Sequence, residues 1–301
     1  MVAERIKNMK KIKFGFYGSM CQENKTDFSC MTYGFSDTSI LTNQCRIWSE
    51  EFEGVISSGT YEDCIDTLQQ YTSLARAVIV FVTGCGKEDT FIAKLSKLVK
   101  CPIVGGTAAA SENAKASRLY HITNEKPAEE AAIFIITDNR FEFEAKFENI
   151  HAEILEEVML ELSSPRRVRK INGIPASDFM KRQKRKLGIP ETDCEHMTLC
   201  TMEHVNAHMN YDDGEQIGFG RDMKEKMLLC YAEPASVQKK IEDFFNDEHA
   251  IVFGCAGLRS ILDHPFNSNT LGAFLFGEIM TVNGHGEFGN LMLSKLVVKR
   301  S

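Results

Sequence analysis

The residues best suited to chemistry lie in 249–278, HAIVFGCAGLRSILDHPFNSNTLGAFLFGEI. Arg259 comes shortly after one apolar run, 250–253, and Glu278 shortly after another, 273–276. A guanidinium grips a carboxylate with two parallel hydrogen bonds, and a carboxylate receives an ammonium. The pair could therefore read both ends of a free amino acid, or it could simply tie two strand ends together. Gly277 beside Glu278, and the turn Gly254-Cys255-Ala256-Gly257, let the backbone come close to a ligand. Cys255 has a cation nearby in Arg259, and Cys85 sits in a similar Gly-Cys-Gly loop. A reactive thiol needs its thiolate favoured in this way. No histidine stands in a local cysteine-hydrolase signature, so both cysteines read first as small buried residues. No residue is assigned a catalytic role.

Three further groups read differently. Cys194, His196, Cys200, His204 and His208 resemble a metal cluster, and a helix would stack 200, 204 and 208 on one face. However, 204–211 alternates strictly between polar and apolar residues, and on a strand His204 and His208 stand ~13 Å apart, too far to share one ion. No metal site is expected there. Gly284-His285-Gly286-Glu287-Phe288-Gly289 matches GxGxxG, but a short apolar strand follows instead of the helix that a dinucleotide site requires. The basic stretch 166–186 carries nine cations, Arg166 to Lys186, against Asp178 alone; without interleaved aromatics it reads as a solvated face.

The elements that position these residues follow from apolar periodicity. Thr60, with Asp63 three residues on, caps a helix whose Ile65, Leu68, Tyr71 and Leu74 share a face. A buried strand at 77–82 leads to the Cys85 loop. A helix over 88–99 then leads to Pro102-Ile103-Val104 and the Gly105-Gly106-Thr107 segment, completing a right-handed βαβ unit. Strands are expected at 131–137 and 141–147, and a helix at 151–162. Residues 164–170 would join two halves, with a helix starting near Pro175. An alternating strand at 204–211, a hairpin around Asp213-Gly214, a strand at 227–231, a helix at 234–246 and a last strand at 291–298 follow. Residues 12–55 show no sustained period and read as irregular or short strands. Residues 237–257 repeat the helix, strand and Gly-Cys loop of 61–86, a weak internal duplication. The fold class is α/β, mixed α+β: two related αβ halves, 10–163 and 167–301, each with a central mixed sheet flanked by helices. Ligands often bind where such halves meet.

Composition narrows the function. Hydrophobic content of 43% and charged content of 26% are ordinary for a soluble globular protein, and a net charge of −7 argues against nucleic acid as a partner. The first residues lack a signal-peptide core, and no apolar run is long enough to span a bilayer. Ten cysteines without a CxxC pair suggest reduced thiols and a cytoplasmic location.

GCAGLR followed by LFGEI resembles the C-terminal half of the FIST domain family, with its Cys-Ala-Gly-x-Arg element and Gly-Glu-Ile strand. AVIVFVTGCG followed by KCPIVGGTAA resembles the N-terminal half, and INGIPASDFMKRQKRKLG resembles the opening of the C-terminal one. At the last strand the family's Asn-Gln-Thr is kept only at Asn290; Leu291 and Met292 replace the rest. The resemblance implies a stand-alone sensory module, not an enzyme, that binds a small ligand between its halves and signals through a separate protein. Amino acids are among such ligands. The ligand-binding residues implied are Cys255, Arg259, Gly277, Glu278, Cys85, Gly105, Gly106 and Thr107. No cofactor is expected. A haem-based nitric-oxide sensor and a cysteine-dependent enzyme are the alternatives.

Overall fold

The computed structural model describes residues 10–16, 30–31, 46–82, 86–107, 119–120, 127–128, 130–246, 249–259, 271–275 and 277–301. Cys85 lies outside them, and for Arg259 only the backbone is described.

The chain opens with β1 (Lys10–Phe16), β2 (Cys30–Met31) and the long β3 (Arg46–Gly59). The first two pair in parallel, and β1 pairs antiparallel with β3, so part of a region without sequence period is regular sheet. Helix α1 (Tyr61–Tyr71) starts at Thr60, whose side chain accepts from the Asp63 amide while the Asp63 carboxylate returns a bond to the Thr60 amide. This reciprocal cap was legible in the sequence. Next come β4 (Ala77–Val82), α2 (Glu88–Leu98), β5 (Ile103–Thr107), β6 (Leu119–Tyr120), β7 (Pro127–Ala128), β8 (Ala131–Ile136) and β9 (Phe141–Asn149).

Residues 153–164 form a strand, β10 (Glu153–Ser164), where a helix was expected. Its apolar residues fit either period. Pairing on both sides decides the outcome: β10 is bonded to β11 (Arg167–Ile171) and to β17 (Lys226–Tyr231). The expected join at 164–170 is therefore a hairpin turn and strand inside one sheet. Then follow β12 (Ile174–Pro175), α3 (Ala176–Leu187), β13 (Met197–Cys200), β14 (Asn206–Ala207), β15 (Met209–Asp212) and β16 (Ile217–Phe219). The chain ends with α4 (Pro234–Phe245), β18 (Ala250–Cys255), the short α5 (Ala256–Arg259), β19 (Leu271–Leu275), β20 (Glu278–Val282), β21 (His285–Gly289) and β22 (Met292–Arg300).

These strands form an eight-stranded sheet, β2-β1-β3-β8-β4-β5-β20-β21, and a four-stranded sheet, β19-β18-β22-β9. A second large sheet runs β14-β13-β17-β10-β11-β16-β15. Both of the first two sheets combine strands from the two ends of the chain. Their faces pack together: Ile79 and Phe81 of β4 and Phe134 of β8 meet Ile251 and Phe253 of β18 in one core. The Phe81 and Phe253 rings cross edge to face at 5.8 Å. The alternate residues Val78, Val80 and Val82 pack under α1 and α2, while Ala250 and Val252 pack under α4. Four layers result: helices, sheet, sheet, helix. This arrangement is why β4 and β18 are continuous apolar runs, since each has both faces buried. Helix α3 covers the third sheet through Phe179 and Met180.

The GxGxxG stretch is a hairpin. Asn283 and Gly284 both take positive φ (50° and 79°) between the paired Val282 and His285, as a tight two-residue turn requires. Cys200 and Cys230 lie on the neighbouring strands β13 and β17 with their sulfur atoms side by side.

Candidate functional site

The two parallel strand pairs, β4 with β5 and β18 with β19, end on the same side of the two-sheet core as the start of β20. Sequence reasoning singled out the residues at these ends. Gly106 and Glu278 are direct partners across β5 and β20, and the Thr107 amide donates to the Gly277 carbonyl at 2.9 Å. Cross-strand partners share a face and neighbours alternate. Glu278 therefore points between the two sheets, toward Cys255, and Thr107 belongs to the opposite face, the one covered by α1 and α2. The structure brings Cys255 and Glu278 together and sets Thr107 apart from them.

Glu278 is wholly buried. Its Oε2 accepts from the Met292 amide at 3.1 Å. Its Oε1, also buried, has no hydrogen-bond partner among the described residues. Burial drives the carboxyl pKa well above the ordinary range, despite the amide donors of Met292 and Gly277 and the Cys255 thiol that favour the charged form. Burial likewise raises the Cys255 thiol, and the neighbouring Glu278 carboxyl raises it further. Burial thus favours the protonated form of both groups. A thiol held protonated is a poor nucleophile, so this pair does not offer the activated cysteine that thiol catalysis needs.

The glycines have packing reasons of their own. A Cβ on Gly105 would stand 1.8 Å from the Val80 carbonyl oxygen, and one on Gly106 2.3 Å from that of Gly277. At Gly277, with φ at +144°, a Cβ would strike the Phe288 ring. All three let strands and rings approach at close range. The Thr107 hydroxyl, also buried, lacks a partner among the described residues.

Behind Glu278 lies a second polar cluster that sequence reasoning missed. The kink at Asn290-Leu291-Met292, with Leu291 at φ 51°, hands its groups to both sides. Met292 binds Glu278, and the Leu291 amide supports Cys255. The Leu291 carbonyl accepts from Asn206 Nδ2 at 3.2 Å, and the Asn290 amide donates to the Asn206 carbonyl. Asn206 also exchanges side-chain bonds with Asn149 at 2.8 Å and donates to His151 Nδ1 at 2.9 Å. The opposite ring nitrogen of His151 donates to the Glu195 carbonyl. Burial lowers the His151 pKa from 6.5 to about 4. His151 lies in the crossover from β9 to β10, so this cluster fastens the two-sheet core to the third sheet. Nothing in the local sequence marks His151, because its partners come from segments tens of residues away.

Helices and strands in this arrangement make the chain a mixed α+β protein with a buried acid at converging strand ends. The family model of the FIST N domain matches residues 25–174. The chain belongs to the FIST-domain proteins, a family of sensory and signal-transduction domains. No curated protein matches it. Glu278 and Cys255 lie beyond the matched residues.

Proposed function

We propose that this protein is a sensory module that binds a small ligand at the ends of β5, β18 and β20 and passes its state to a separate signalling protein. One observation carries the reading: Glu278 Oε1 is buried and has no partner among the described residues. An unsatisfied buried acceptor costs about 1–3 kcal/mol and calls for a reason. A ligand ammonium would supply it by pairing with the carboxylate, the Glu278 proton leaving to solvent. Arg259, four residues after Cys255 at the end of α5, is the candidate for a ligand carboxylate, which makes free amino acids the first compounds to try. Such a ligand would act through unequal affinity for two arrangements of the sheets whose strand ends meet there.

The test is a thermal-shift screen of free amino acids and small amines on the wild type, Glu278→Gln and Arg259→Ala. A ligand at about a hundred times its dissociation constant adds roughly 2.7 kcal/mol. The expected result is a midpoint rise of several degrees that both variants lose. A rise that both variants keep would move the site elsewhere, and no rise with any compound would remove the amine reading.

A further inference from the structure

Helix α3 buries Ala176, Phe179, Met180, Gln183 and Lys184. Its remaining face presents Asp178, Lys181, Arg182, Arg185 and Lys186, spaced i, i+3, i+4, i+7 and i+8, so one stripe carries four cations and one acid. Arg185 is tied to Glu191 at 2.7 Å. Lys181, Arg182 and Lys186 make no ion pair or hydrogen bond among the described residues. Arg182 and Lys186 stand one turn apart, where like charges repel.

Elsewhere the exposed cations are of two kinds: Lys87, Lys97, Lys100 and Lys239 stand singly without an ion pair among the described residues, and many others are paired. Lys146 and Lys299 share Glu144, Arg169 and Lys170 share Glu161, Lys224 pairs with Glu203, and Lys226 pairs with Glu157. On a chain of net charge −7, α3 thus concentrates unneutralised positive charge on one rigid face. Such a patch attracts negative charge and orients it. The stripe offers no apolar side chain to sink into a bilayer and no aromatic on which a base could stack. An acidic polypeptide is the partner that fits. The helix is also fastened to the polar cluster: buried Lys184 donates through Nζ to the Glu191 carbonyl, and a few residues on, the Glu195 carbonyl holds His151.

We propose that the exposed face of α3, through Lys181, Arg182 and Lys186, is the surface that receives an acidic segment of the signalling protein. This rests on the reading that the output goes to a separate partner, yet it can fail independently, because docking is measured without any ligand.

The probe is a fluorescein-labelled peptide of alternating glutamate and serine, followed by fluorescence anisotropy against the full chain. Wild type is expected to bind with an affinity that falls as salt rises. Arg182→Glu/Lys186→Glu should weaken binding by roughly tenfold or more. Lys224→Glu/Lys226→Glu, the same change of net charge at paired cations, should leave it within about twofold. Arg182→Ala/Lys186→Ala serves if the reversal variant does not fold. No peptide binding, equal loss in both charge-reversal variants, or preferential retention of duplex DNA or phosphatidylserine vesicles would each overturn the proposal. A failed ligand screen alongside α3-dependent peptide binding would sink only the small-ligand reading.

Discussion

Two buried polar clusters lie back to back across the Asn290–Met292 kink, and they are built in opposite ways. Around Asn206 and His151 the potential is met: both ring nitrogens of His151 are bonded, and Asn206 and Asn149 bind each other through both ends of their amides. Only at its rim do His196 Nε2 and His208 Nδ1 lack partners among the described residues, on rings that are themselves partly exposed. Across the kink, Glu278 is more deeply buried than either rim histidine and still leaves one oxygen without a partner among the described residues. A satisfied buried network rigidifies, whereas an unsatisfied one stores a preference for something absent. The first cluster is read as the fastening of the third sheet to the core, and the second as the place where a ligand would change the balance.

The largest expected effect tests the fastening. Asn206→Leu removes the partner of His151 Nδ1, a donor to the Leu291 carbonyl and the paired bonds with Asn149, whose side chain keeps the His204 carbonyl and the His151 amide. It should cost about 3 kcal/mol and lower the thermal midpoint by several degrees. A loss below about 1 kcal/mol would mean that solvent or repacking replaces the network, and the contrast between the clusters would disappear.

Next in size is the acid response of His151. Its folded pKa is depressed from 6.5 to about 4, so its contribution is fully present above pH 6.5 and is lost as the pH falls toward 4. The integrated loss is roughly 3 kcal/mol. His151→Gln should be less stable than wild type at neutral pH and show a shallower decline over this window in urea titrations. Parallel curves would show that the ring does not titrate as its burial requires.

The smallest effect sharpens the other side. Glu278 has a raised folded pKa, so its stabilising contribution is present below the ordinary carboxylate range and is lost as the pH rises through the folded value. Glu278→Gln keeps the shape without the charge. It should lie within about 1 kcal/mol of wild type in mild acid and hold its midpoint better as the pH rises. A variant that is destabilised equally at every pH would mark Glu278 as a plain structural hydrogen-bonding group.

Much of this was written locally in the chain. The Thr60–Asp63 cap, the doubly buried runs of β4 and β18, the Pro234 start of α4 and the Asn283-Gly284 turn each depend on residues a few positions apart. Cys255 and Glu278 were also marked locally, by their positions after apolar runs. The sequence did not distinguish which partner each would meet. The described contact of Glu278 is with Cys255, while the Arg259 side chain lies outside the described residues. Residues 153–164 show the same limit, since their apolar spacing fits a helix as well as a strand until β11 and β17 pair with them.

The sequence by itself determined the elements whose signals are local, the family, and the candidate residues at the strand ends. Tertiary structure alone decided which face of the eight-stranded sheet each residue occupies, and so parted Thr107 from Glu278. It also assembled Asn149, His151, Asn206 and Leu291 from segments up to 142 residues apart (149 to 291). The physical reason is that hydrogen bonding and burial act through space, so the raised pKa of Glu278 and the lowered pKa of His151 depend on neighbours that no local pattern encodes.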